Sequence, residues 1–113
     1  ESIYHLFFSC IHVNDFWTKV ENWINKNMIK NIVLNEKNVI LGYEYENPNY
    51  LVNSIILSAK RYIYYCKYNN CLPVILVFKE RVKYSYKIEK QIANNLHQYN
   101  KFNTKWEIFS QWE

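Results

Sequence analysis

His5 and Cys10, in the segment Glu1-Ser2-Ile3-Tyr4-His5-Leu6-Phe7-Phe8-Ser9-Cys10, are the residues whose types and spacing come nearest to chemistry. Zinc takes about four nitrogen or sulfur ligands in a tetrahedron, and a histidine and a cysteine at this spacing can supply two of them. His12 adds at most a third, and no further Cys or His precedes them in this chain. Zinc therefore enters only with upstream ligands that the chain lacks. The plainer alternative, a helix-surface histidine and a small buried cysteine, stays open. Cys66 and Cys71 match no familiar metal clip, and three cysteines cannot all pair within one chain, which fits a reducing compartment. Cys66, in Tyr62-Ile63-Tyr64-Tyr65-Cys66, reads as helix interior and not as an activated thiolate. Asp15 is the only aspartate and the glutamates are scattered, so paired-carboxylate and two-metal chemistry have no support. Glycine-rich phosphate loops, nucleophile elbows and helical zinc-protease motifs are missing too. The sequence reads as a binding module, not an enzyme.

The elements that must carry these residues are helical. Of the 113 residues, 50% are apolar or aromatic and 19% are Phe, Trp or Tyr, enough for a sizeable core. A single glycine and two prolines are too few for a barrel or sandwich of short strands. The expectation is an all-α single domain over residues 1–113 with four or five helices. One short helix covers Ser2 to Cys10. A second runs from about Asp15 to Asn27, with Phe16, Val20, Trp23 and Ile24 on one face. Residues 31–42 read equally well as two short strands or as helical turns. Pro48 opens a helix to Lys67, Asn69 and Asn70 break it, and Pro73 admits a long helix to about Tyr99. Asn103 or Thr104 then caps a last turn or two carrying Trp106, Phe109 and Trp112, which fold back onto the core. The tryptophans and most tyrosines are assigned to packing. No stretch reaches the roughly 18 apolar residues that a membrane span requires. The chain begins at Glu1 and shows no signal-peptide layout, so it reads as a piece of something longer.

The net charge of +4 is modest, but the middle of the chain concentrates it. Helical spacing puts Lys60, Tyr64, Lys67 and Tyr68 near one face, beside Arg61, and Lys79, Lys83, Lys87 and Lys90 near another. Lysines neutralise phosphates without reading sequence, and tyrosines stack on unpaired bases, so RNA or single-stranded nucleic acid suits this mixture. A merely solvated charged face is the competing reading for both rows.

The segment from Glu1 to Cys10, followed by Val13 and the Phe16-Trp17 pair, resembles the second half of the zinc knuckle that follows the polymerase domain in non-LTR (LINE-type) retrotransposon reverse transcriptases. Gly42 after Val39-Ile40-Leu41, the run Lys60-Arg61-Tyr62-Ile63-Tyr64 and the late Lys105-Trp106 look like the tail beyond that knuckle. The resemblance implies a knuckle remnant at 1–13 and a helical tail at 14–113. It also implies that His5 and Cys10 are the third and fourth zinc ligands, and that the parent is an RNA-directed DNA polymerase whose catalytic residues lie elsewhere. The implied partners are RNA or DNA, held mainly by the phosphate backbone, and the rest of that polymerase. A nuclear or cytoplasmic location follows from those partners.

Overall fold

The computed structural model describes residues 11–28, 31–41 and 50–112. The first helix expected, Ser2 to Cys10, and the helix start expected at Pro48 lie outside the described residues, as does Gly42. Five helices follow in order: α1 (Ile11–Asn27), α2 (Glu36–Leu41), α3 (Tyr50–Tyr68), α4 (Ile75–Leu96) and α5 (Tyr99–Trp106), with a 3-10 turn at Phe109–Gln111. No strand occurs among the described residues, so the all-α expectation holds.

α1 buries Val13, Phe16, Trp17, Val20, Trp23 and Ile24, an unbroken helical stripe. Val13 extends the stripe one turn ahead of the start expected at Asp15. The Asp15 carboxylate does not cap; it pairs with Lys19 one turn later at 3.2 Å. Between α1 and α2 the described residues are held by asparagine side chains. The Asn25 amide accepts the Ile32 N–H at 2.7 Å and donates to the Ile32 carbonyl at 3.0 Å. Asn35 then caps α2, its side-chain oxygen accepting the Asn38 N–H at 2.9 Å. The two apolar runs thus belong to a clamped segment and a capped helix, with Ile32 and Val39 both buried.

α3 and α4 form a helical hairpin. At the end of α3, Asn70 takes the left-handed conformation (φ 54°), while the Cys71 N–H donates to the Cys66 carbonyl at 2.9 Å and the Asn70 N–H to the Lys67 carbonyl at 3.3 Å. This is the Schellman pattern that satisfies the last carbonyls of a helix. Val74 is the N-cap of α4 and contributes no side-chain cap. Its own N–H is held instead by the Tyr62 hydroxyl oxygen, 3.0 Å away across the hairpin. Burial, the largest influence, pushes the Tyr62 phenol up, while the bond from Val74 pulls it down.

α4 is the longest helix, 22 residues, but it stops three residues short of the expected end at Tyr99. His97 adopts φ 53° and Gln98 donates back to the Ala93 carbonyl at 3.0 Å, a second left-handed stop. α5 begins at Tyr99, so Asn103 and Thr104 lie inside it and do not cap it; the Thr104 hydroxyl bonds the Asn100 carbonyl at 2.8 Å. The tail then folds back as its aromatic spacing predicts. Phe109 and Trp112 pack edge-on against Trp23 of α1, with ring centroids 6.2 and 5.2 Å away. At the centre Phe78 meets Phe16 (5.4 Å), Tyr62 (6.0 Å) and Trp23 (6.1 Å), joining α1, α3 and α4 in one core.

Candidate nucleic-acid interface

The hairpin leaves an open groove of about 590 Å³ between the outer faces of α3 and α4. Its cations are Arg61 from α3 and Arg81, Lys83 and Lys87 from α4, against a single carboxylate, Glu80. Glu80 lies 3.6 Å from Lys83 on an exposed surface, where such a pair is weak and leaves the groove strongly positive. Ser58 and Ser85 add hydroxyls, and Tyr84, 66% exposed, adds a ring at the wall.

Arg81 is the most firmly positioned of the cations. Its guanidinium lies 4.4 Å from the Tyr65 ring centroid and 4.9 Å from that of Tyr62. Tyr62 is itself buried and tied to Val74, so the planar fork rests on a fixed support. A guanidinium held this way can present two N–H groups to one phosphate, which a flexible ammonium cannot.

The residues expected from sequence divide. Arg61, Lys83 and Lys87 line the groove. Lys79 does not: its ammonium sits 5.6 Å over the Trp23 ring and covers the core. Lys90 similarly lies over Tyr86 at 5.9 Å. The row splits because four residues overshoot a helical turn by about 40°, so positions 79, 83 and 87 drift steadily around α4. Lys60 is half-buried, burial lowers its pKa, and it does not line the groove. Tyr64 and Tyr68 are 61% and 80% exposed on the outward face of α3 with Lys67, beside the groove and not in it. His5 and Cys10 lie outside the described residues. Among the described residues no group of three or more His, Cys, Asp or Glu side chains could hold a metal ion.

Sequence reasoning missed Arg81 and Tyr84 as site residues. A signal was available: residues equidistant from a hairpin turn face one another, and Arg61 and Arg81 stand equally far on either side of Cys71. Comparison with protein-family profiles, curated proteins and solved structures finds no match to this chain.

Proposed function

We propose that this chain is a non-catalytic nucleic-acid-binding module that holds RNA or DNA by its phosphate backbone in the groove between α3 and α4. The carrying observation is the convergence of Arg61, Arg81, Lys83 and Lys87 from two helices on one open groove, with Arg81 braced by two tyrosine rings. Tyr84 at the wall and Tyr64 and Tyr68 beside it offer faces on which unpaired bases can stack. The resemblance of the first residues to the zinc knuckle of non-LTR reverse transcriptases supports a parent RNA-directed DNA polymerase, with this chain in its tail. In that setting His5 and Cys10 complete a zinc site whose other ligands come from upstream.

The test is fluorescence anisotropy of a labelled single-stranded RNA at about 50 and 200 mM salt. Four phosphate contacts predict a roughly 50- to 150-fold loss of affinity across that range, depending on whether the strand is single or paired. Flat affinity, or no binding at the lower salt, rejects the groove as the site. A second reading, docking on the parent polymerase without nucleic acid, is favoured by one observation. Val77, Tyr84, Ile88 and Ile92 form an exposed row along α4. Such docking responds little to salt, so the same titration separates the two.

A further inference from the structure

The Schellman turn that ends α3 joins two cysteines. In this turn the third residue from the helix end and the second beyond it normally seal the cap by touching side chains. Here those positions are Cys66 and Cys71, both free thiols. The Cys71 N–H to Cys66 carbonyl bond of 2.9 Å, with the covalent geometry on either side of it, keeps the two Cα atoms within about 6.8 Å. That lies inside the range of roughly 4.4–6.8 Å that a disulfide spans. One thiol is buried and the other exposed. Burial raises the Cys66 pKa most and the neighbouring Cys71 thiol raises it further, while the Tyr62 hydroxyl and the Arg81 charge act the other way.

We infer that Cys66 and Cys71 form a thiol–disulfide exchange site whose substrates are small-molecule disulfides, with Cys71 the attacking residue and Cys66 the resolving one. The exposed Cys71 thiolate attacks one sulfur of the reagent. The reagent's S–S bond breaks, one thiolate leaves and takes up the Cys71 proton, and Cys71 carries the other half as a mixed disulfide. Cys66, as thiolate, then attacks the Cys71 sulfur. The Cys66–Cys71 bond forms, the mixed disulfide breaks, and the second thiolate leaves with the Cys66 proton. The protein gives up two electrons and two protons, and the reagent becomes two thiols. The closed ring ties the turn that joins the two walls of the groove, immediately before Val74. The exchange does not depend on what the groove binds.

The test uses the full chain and oxidised glutathione, followed by alkylation of remaining thiols, trypsin and mass spectrometry. Cleavage after Arg61, Lys67 and Lys79 places the cysteines on separate peptides, Tyr62–Lys67 and Tyr68–Lys79. The expected product is these two peptides joined by a reducible bond, with only a transient glutathione adduct on Cys71. In Cys66→Ala the adduct on Cys71 should accumulate about tenfold over the unsubstituted chain, because nothing resolves it. Three results overturn the inference: a lasting adduct on Cys71 with Cys66 still alkylatable, Cys66 joined to Cys10 or to a second chain, or equal adduct on Cys71 with and without Cys66.

Discussion

Two flanks of α4 use the same kind of side chain for opposite ends. On the core flank Lys79 lies over Trp23 and Lys90 over Tyr86, while Lys105 from α5 lies over Trp106 and bonds Glu89 at 2.8 Å. These cations roof aromatic packing, their ammonium groups over the ring faces. On the groove flank Arg81 also rests on rings, those of Tyr62 and Tyr65, but with Arg61, Lys83 and Lys87 it crowds like charges together around one open space. Crowding like charges opposes folding, so that flank is the one whose arrangement packing does not account for. A count of basic residues along the helix merges the two flanks; the partner of each side chain separates them.

The contrast can be broken hardest at the core. Phe78→Ala removes the ring shared by α1, α3 and α4, and a loss of about 3–5 kcal/mol is expected in urea unfolding, enough to unfold a marginal domain. At the groove, Arg61→Ala with Arg81→Ala should weaken RNA binding roughly 25- to 60-fold at about 0.1 M salt and lower the salt slope by about 1.4–1.8. Stability should fall only by what the stacking of Arg81 on Tyr62 and Tyr65 supplies, about 0.5–1 kcal/mol; a much larger fall would mean that these arginines are structural. Between the two flanks stands Tyr62, which braces Arg81 and holds Val74. Tyr62→Phe should cost about 0.5–1.5 kcal/mol by stranding the Val74 N–H. Because the fold raises the Tyr62 pKa, its contribution is whole below about pH 10 and fades as pH climbs through the raised value, so the phenylalanine variant should lose less stability at alkaline pH. Smallest of all, and most telling, is the pair Lys79→Ala and Lys83→Ala. The first should cost about 0.5–1 kcal/mol of stability and leave binding unchanged, and the second should do the reverse. Identical behaviour of the two would erase the distinction between the flanks.

Helix type and core composition were legible because they rest on periodicity. Phe16, Val20, Trp23 and Ile24 declare a helical face, and Trp106, Phe109 and Trp112 fold back as their spacing implies. Boundaries were less legible, since they depend on single polar groups with several uses. Asp15 reads as the helix start yet lies inside α1 and pairs with Lys19; residues 31–42 read equally well as strands or turns, and Asn35 caps a helix there. His97 carries no sequence signal for the left-handed stop it makes. The groove was half legible. Arg61, Lys83 and Lys87 stand out as helical cations, but which cations face across a hairpin depends on the register of α3 against α4, which no single helix encodes. Lys60 and Lys79 do not line the groove.

The edge-on pairing of Trp23 with Trp112, 5.2 Å apart and 87° between planes, has an optical consequence. Two indoles held this close and this far from coplanar couple their ultraviolet transitions, so the folded chain should carry a near-ultraviolet circular dichroism couplet that vanishes in Trp112→Phe. The signal reports closure of the C-terminal turn on α1 without any added label, and it can be watched while the groove is loaded or its arginines are replaced.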